Sequence, residues 1–278
     1  MTIPLWALLG LVATASAYDL PGDVAARSSE GRRELGPRAS VRVVEGVFVL
    51  VAPAGQRSSL GTASLTKQVL AAYFNDRFDK RPERAVSVYL FPEAQSYQAY
   101  CQKRWAEPCL SPFGFYRPDE RRIVMNVGPG IGTLTHELVH PIVESDFPGA
   151  PQWLNEGIAS LFEALIMPEP GQVHGVKNWR HARLLRALRS PQERDQAGLV
   201  ALFSLNDADF RNHDEDLHYA TARYLCQWLD QQRKLWPFYQ RYRDHQRDDP
   251  SGEQAFVATV GKTPVDANAE WSSWVKRL

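Results

Sequence analysis

The sequence predicts an α+β fold, with a small mixed sheet in the first half of the chain and a mostly helical second half. Two observations support this prediction. Short β-branched runs alternate with helical patterns up to residue 127, in the order β-α-β-α-β-β. After the proline-containing segment 167–170, the apolar residues follow helical spacing to the end of the chain. The 278 residues, 44% of them hydrophobic, suffice for one large or two modest domains.

Each element is predicted from a local pattern. The predicted strands are β-branched or aromatic runs bounded by turn residues: 41–52 (one strand or a hairpin), 86–91, 114–116 and 122–127. The predicted helices have apolar residues three and four positions apart: 59–78, 92–105, 131–143, 153–166, 178–190, 219–232, 236–247 and a last helix that carries Trp271 and Trp274. An acidic loop is predicted at 206–216.

The N-terminus is typical of an export signal. An apolar stretch, 3–13, precedes the small residues Ala15 and Ala17, which flank Ser16 as in a cleavage site. We therefore expect a signal peptide at 1–17 and a periplasmic or secreted protein, with an uncleaved signal-anchor as the alternative. The charged segment 18–40 is poor in large apolar residues, which predicts a flexible mature N-terminus.

The run Thr135-His136-Glu137-Leu138-Val139-His140 indicates the chemistry. Residues four apart share one face of a helix, so His136 and His140 can both point at one metal ion. Glu137 lies where it can reach a water on that ion. Glu156 follows His140 by sixteen residues, after the turn-rich segment 145–151, and can supply a third protein ligand. Two imidazoles and one carboxylate with an open fourth position are typical of a catalytic zinc.

Two other carboxylates compete for the role of third ligand. Asp146 lies six residues after His140, which resembles the position of the last ligand in metzincin-type sites, but those sites have a glycine where this chain has Val143, a residue poorly suited to the turn that follows. Glu144 is excluded, because eight residues of helix separate it from His136 by about 12 Å. Glu156 is therefore the predicted ligand, and Asp146 remains the alternative.

The segments His136-Glu137-x-x-His140 and Asn155-Glu156-Gly157-x-Ala159 resemble the gluzincin clan of zinc metallopeptidases, most closely its small peptidase MA-like members. The resemblance covers about residues 86–229 and is strong only at these two motifs. It implies a zincin-like fold, one Zn²⁺ per chain, Glu137 as the general base and Glu156 as a ligand. Pro141 departs from the pattern and predicts a bend in the helix.

The resemblance also implies where a substrate would bind. Related peptidases keep a transition-state tyrosine near the start of a later helix, which favours Tyr219, with His218 second; the alternative for Tyr219 is simple packing into the core. The sheet edge nearest the metal binds the substrate as an added strand in such proteases. The predicted edge residues are Ile123, Val124, Met125 and Asn126.

Charge and cysteine content bound the remaining possibilities. The formal net charge is zero, which gives no electrostatic case for a nucleic-acid partner. Cys101 and Cys109 can form one local disulfide in an oxidising compartment, and Cys226 is predicted to be a buried free thiol. No stable membrane insertion is expected after signal cleavage, and the oligomeric state is left open.

The sequence therefore predicts an exported zinc metallopeptidase that acts on a peptide or protein substrate. Its catalytic unit is expected to comprise an α/β part, 41–170, and a helical part, 171–278. The alternatives are an inactive zincin-like domain that binds zinc or a protein partner, a zinc amidase that acts on cell-wall peptides, and a structural export protein with an accidental motif.

Overall fold

The computed structural model describes residues 18–55 and 58–278, so the predicted signal peptide at 1–17 lies outside the described residues. Its N-terminal half contains a five-stranded sheet: β1 (Ser40–Val44), β2 (Phe48–Ala52), β3 (Val86–Phe91), β4 (Gly114–Arg117) and β5 (Arg122–Asn126). The strand order is β1-β2-β3-β5-β4. The three central strands are parallel, and β1 and β4 each pair antiparallel with their neighbour. The sheet is therefore mixed, as predicted.

Helices make up most of the remaining structure. Those in the first half are α1 (Leu20–Leu35), α2 (Ser58–Tyr73), α3 (Ala94–Trp105), α4 (Gly132–Glu137), α5 (Val139–Asp146) and α6 (Gln152–Leu161). Those in the second half are α7 (Arg180–Arg189), α8 (Leu199–Ser204), α9 (Asp207–Phe210), α10 (Glu215–Gln231), α11 (Leu235–His245), α12 (Glu253–Val260) and α13 (Pro264–Arg277). The predicted α+β class is confirmed.

Two elements after residue 150 differ from the prediction. The helix predicted at 153–166 ends at Leu161, and β6 (Leu165–Ile166) instead pairs with β7 (His174–Gly175). The tight turn in which the Phe162 amide bonds to the Ala159 carbonyl ends this helix. The predicted acidic loop 206–216 contains the short helix α9.

The prediction of a flexible segment at 18–40 was wrong, because α1 occupies most of it and packs on β2. Asp19 caps the helix by accepting a hydrogen bond from the Gly22 amide. The charges that suggested disorder are used in ion pairs with the sheet, since Glu30 and Glu34 both contact the buried Arg122.

The strand that was predicted to form an edge of the sheet is not an edge strand. Strand β5, which carries Ile123, Val124, Met125 and Asn126, is hydrogen-bonded to β3 on one side and to β4 on the other. No edge of β5 is available to a substrate. The edge strand next to β5 is β4, whose outer side has no strand partner in the described part of the chain, and the opposite edge strand is β1.

The two halves share a hydrophobic core. Residues as far apart as Phe48, Leu138, Leu225 and Trp271 belong to one buried cluster. Helices α6 and α10 lie closely side by side, and Gly157 permits this contact because a Cβ there would meet the Ala222 backbone at 3.1 Å. Glycine after Glu156 thus lets the two helices approach.

The cysteines lie as the sequence predicted. Cys101 and Cys109 form a disulfide between the end of α3 and the segment that leads into β4, and Cys226 is a buried free thiol. None of the helices in the described residues is long and apolar enough to cross a membrane.

Candidate metal centre

Helices α4 and α5 carry the first motif and are separated at Leu138. The predicted bend was assigned to Pro141, and the interruption lies three residues before it. Pro141 has no amide proton to donate to the Glu137 carbonyl, so one backbone hydrogen bond of the helix is missing in this turn. His136 and His140 nevertheless stay on one face, with ring centroids 4.9 Å apart.

Helix α6 brings Glu156 to the same point. Its Oε2 lies 3.3 Å from Nε2 of His136 and 3.9 Å from Nε2 of His140. One ligand atom from each of the three residues lies within 4.8 Å of the others. His136 and Glu156 are buried and His140 is partly exposed, so this group could hold a metal ion beside a solvent-accessible position.

The chemistry of the three residues suits a cation. The buried Oε2 of Glu156 has no hydrogen-bond partner among the described residues, although it faces two imidazole nitrogens. Burial alone would lower the pKa of His136, but contacts with Glu156 and Glu163 raise it to about 10. The site thus attracts positive charge, and two nitrogens with one carboxylate oxygen match the ligands that zinc accepts.

The far nitrogen of each imidazole also faces an oxygen atom. Nδ1 of His140 is hydrogen-bonded to Oδ1 of Asn155 at 3.0 Å, and Nδ1 of His136 lies 3.4 Å from Oε1 of Glu163 without a hydrogen bond of good geometry. A hydrogen bond at Nδ1 fixes the tautomer of a metal-binding histidine and directs its Nε2 towards the ion. Glu163 is itself held by Arg180 at 2.7 Å and by Asn178 at 2.9 Å. Burial opposes ionisation of Glu163, yet His136 and Arg180 lower its pKa to about 2.

Neither Asn155 nor Glu163 was assigned a role from the sequence, although a signal was present for both. Asn155 directly precedes Glu156, and Glu163 follows Glu156 by seven residues, which is about two helical turns and therefore the same face. By contrast, nothing local to the sequence marks Arg180, which reaches Glu163 from the start of α7.

Glu137 lies beside the three candidate ligands. Its Oε2 is 3.8 Å from Nε2 of His140. Burial raises the pKa of Glu137, against the opposing effect of the two histidines. The side chain is placed to exchange a proton with a water at the metal position.

The competing carboxylates lie elsewhere. Asp146 is buried and accepts hydrogen bonds from the Lys80 amide at 2.7 Å and from Arg243 at 3.0 Å. It holds α5 against α11 and does not join the three candidate ligands. Glu144 is exposed and accepts a hydrogen bond from the Tyr116 hydroxyl at 2.8 Å.

The two candidates at the start of α10 have different positions. Tyr219 lines the cavity in front of the metal centre, and its hydroxyl accepts a hydrogen bond from Arg211 at 2.7 Å. Arg211 also contacts Oε1 of Glu156 at 2.5 Å, which leaves Oε2 free. His218 is not among the residues that line the cavity, and its Nδ1 lies 3.0 Å from the Phe210 carbonyl oxygen.

The metal centre opens into a cavity of about 1220 Å³. Its walls come from the segment before β4, from β4 itself, from α4 to α6 and from the region between α9 and α10. Of the four residues predicted to bind substrate, Asn126 lines this cavity, whereas Ile123, Val124 and Met125 are fully buried in the sheet.

Residues 130–250 match the family model described as "Protein of unknown function (DUF1570)". The matched region contains His136, Glu137, His140 and Glu156, together with the polar residues around them. A comparison with curated proteins finds no match. The buried triad is consistent with a zinc site of the His-Glu-x-x-His type, as the resemblance to gluzincins implied.

Proposed function

We propose that this chain is a zinc-dependent metallopeptidase of the gluzincin type. One observation carries the proposal: a buried His136/His140/Glu156 group meets the carboxylate of Glu137 at the floor of a large cavity. A structural zinc would be closed by four protein ligands, and this arrangement offers three.

Each residue of the site has a distinct role in the proposed reaction. His136, His140 and Glu156 would hold the ion, which when bound polarises a peptide carbonyl and lowers the pKa of a water. Glu137 accepts the proton of that water and passes it to the leaving amine. Asn155 and Glu163 hold the two imidazoles in the orientation that binding requires.

Tyr219 is proposed to stabilise the oxyanion of the tetrahedral intermediate. Because its oxygen accepts a hydrogen bond from Arg211, the phenol keeps its own proton to donate into the cavity. Arg211 also binds the outer oxygen of Glu156, so it positions both side chains. His218 is directed towards Phe210, which does not support a catalytic role.

Strand β4 is proposed to bind the backbone of a peptide substrate. In an antiparallel pair, alternate residues direct their amide and carbonyl groups to the partner strand. Asn126 donates to the Phe113 carbonyl, so Phe115 and Arg117 also face β5, while Gly114 and Tyr116 direct their backbone groups outwards. These outward groups lie on the wall of the cavity and can pair with an extended peptide.

Export is part of the proposal. The disulfide between Cys101 and Cys109 is compatible with an oxidising compartment outside the cytoplasm. The predicted signal peptide would direct the chain there, to the periplasm or the medium. The experiment for this part is N-terminal sequencing of the exported protein, which should begin near Tyr18.

Metal content is the first test of the site. The purified chain should contain one zinc, measured by mass spectrometry of the metal after dialysis, and Glu156→Ala should lose it. Asp146→Asn is the matched control, because it removes a buried carboxylate that lies outside the triad. Zinc loss in Asp146→Asn with retention in Glu156→Ala would contradict the ligand assignment.

Turnover is the second test. Wild-type protein is incubated with a mixed peptide library and with purified cell-wall peptides, and new termini are detected by mass spectrometry. Cleavage of library peptides supports the peptidase, and cleavage of cell-wall peptides alone would indicate the amidase. Bound zinc with no product from either mixture would favour an inactive metal-binding domain.

A further inference from the structure

Three of the exposed large hydrophobic side chains in the described residues lie at one cavity. Leu110, Phe113 and Trp179 are 65%, 50% and 69% exposed, and all three line the cavity of the metal centre. Exposing a large apolar side chain to water is unfavourable, and a group of them beside a cavity is typical of a binding surface.

Leu110 and Phe113 belong to the segment 110–113, which we call the apolar lip. The segment starts directly after Cys109, whose disulfide with Cys101 ties it to the end of α3. The Cys109 amide also donates to the side chain of Gln98 on the same helix. The beginning of the lip is thus fixed to α3.

Hydrogen bonds fix the rest of the lip. The Tyr97 hydroxyl donates to the Ser111 carbonyl at 2.6 Å, and the Asn126 side chain donates to the Pro112 carbonyl at 3.3 Å. The Asn126 amide donates to the Phe113 carbonyl at 2.8 Å. The backbone is therefore bound to the protein, while the side chains of Leu110 and Phe113 remain exposed in a fixed position.

The lip leads directly into β4, and this connection determines the distance between the lip and the metal position. Tyr116 follows Phe113 by three residues, and its ring stacks on His140 with centroids 6.5 Å apart. Three residues of strand span about 10 Å. A peptide paired with β4 would therefore bring to the lip a side chain about two or three residues away from the bond at the metal.

We propose that the apolar lip is a specificity subsite that binds a large apolar side chain of the peptide substrate, two or three residues from the scissile bond. The proposal rests on the proposed peptidase function. The occupant follows from position, because the lip is continuous with the outward edge of β4 and shares its cavity with the metal centre.

The test measures binding separately from turnover. Glu137→Gln is used as the background, since it should keep zinc without cleaving. Fluorescence anisotropy gives the Kd of a peptide series in which one leucine is moved along a serine-rich sequence, with the all-serine peptide as reference. One leucine position should bind tightest, and Leu110→Ser with Phe113→Ser should weaken that peptide about 10-fold or more. The all-serine peptide should be unaffected.

Val265→Ser is the matched control, because Val265 is 67% exposed and does not line the cavity. This substitution should change neither the Kd of the tightest-binding leucine peptide nor the Kd of the all-serine peptide. The proposal is overturned by an equal loss for leucine and all-serine peptides, by no loss at all, or by lip variants that change only the self-association of the chain in sedimentation.

The two proposals fail in different ways. Lip-dependent peptide binding in the Glu137→Gln background, with no cleavage by the wild-type chain, would contradict the peptidase reaction and keep the subsite. If the wild-type chain instead cleaves peptides at a rate that depends neither on the position of leucine nor on the lip substitutions, that result would support the peptidase proposal and contradict the subsite proposal.

Discussion

Two buried polar clusters lie on opposite faces of the central sheet, and they differ in how their charges are matched. The arginine cluster consists of Arg122 on β5 with Glu30, Glu34 and Glu120. It lies on the face covered by α1 and α3. The candidate metal centre of His136, His140 and Glu156 lies on the other face, among the residues of the larger core.

The charges of the arginine cluster are matched by the atoms of the chain itself. The guanidinium of Arg122 lies 2.8 Å from Glu30, 2.9 Å from Glu34 and 3.1 Å from Glu120, so a positive group faces negative groups on every side, although its Nε makes no hydrogen bond. A planar fork of five donors is suited to several carboxylates at once. Such a cluster needs no ligand, and its effect is to stabilise the fold.

The metal centre has the opposite arrangement. A carboxylate oxygen without a hydrogen-bond partner faces two Nε2 atoms, and each of these is an acceptor when the neutral imidazole carries its proton on Nδ1. The group is satisfied only by a bound cation or by a proton. Burial and charge therefore do not by themselves mark a functional site, whereas buried acceptors that face one another without a donor indicate a place for a cation.

Breaking the arginine cluster should have the largest effect on the fold. Arg122→Met leaves three carboxylates around a buried position without their partner, which should lower the free energy of unfolding by about 3–5 kcal/mol. Urea denaturation checks this. Arg104→Met is the control, since Arg104 meets Glu34 and Glu120 at the more exposed rim of the cluster and its loss should cost at most about 1 kcal/mol. A smaller loss in Arg122→Met than in Arg104→Met would contradict the comparison.

Removing the proposed base should affect turnover and spare the fold. Glu137→Gln should reduce kcat at least about 100-fold, because a general base typically contributes that much. Zinc content and the urea midpoint should stay close to those of the wild type. Glu144→Gln is the control within the same cavity and should remain within a few-fold of the wild-type rate. Retained activity in Glu137→Gln would remove this residue from its proposed role.

Weakening the support of His136 should affect metal affinity. Glu163→Gln keeps the shape of the side chain but removes the charge beside Nδ1, which should weaken zinc binding about 10- to 100-fold. Competition with a fluorescent chelator measures this affinity. Asp216→Asn also alters a carboxylate of the cavity wall, but it has no contact with a candidate ligand and should leave the affinity unchanged.

The sequence was sufficient where a signal repeats locally. Helical spacing identified the motif helix, and the pair of histidines with Glu156 identified the residues that the fold brings together. It was insufficient where a role depends on a distant partner. The charges of α1 suggested disorder because their partner, Arg122, lies about ninety residues away. The edge of the sheet could not be assigned because strand order is a tertiary property, and the loop residue Arg211 carries no local pattern that connects it to Glu156.

Acid should distinguish the arginine cluster from an ordinary surface pair, with the smallest expected effect. Burial alone would raise the pKa of Glu34, but hydrogen bonds and the charge of Arg122 lower it below its usual value. A carboxyl group with a lowered pKa stabilises the fold above its unfolded pKa, and this contribution is lost as the pH falls through the folded value. Between about pH 5 and pH 3, the free energy of unfolding should therefore fall less in Glu34→Gln than in the wild type. Measuring both by urea denaturation in chelator keeps the contribution of the metal centre common to the two proteins. Glu270→Gln, which alters the exposed pair with Lys262, should follow the wild-type curve, and an identical curve for Glu34→Gln would mean that the arginine cluster does not stabilise the ionised carboxyl group.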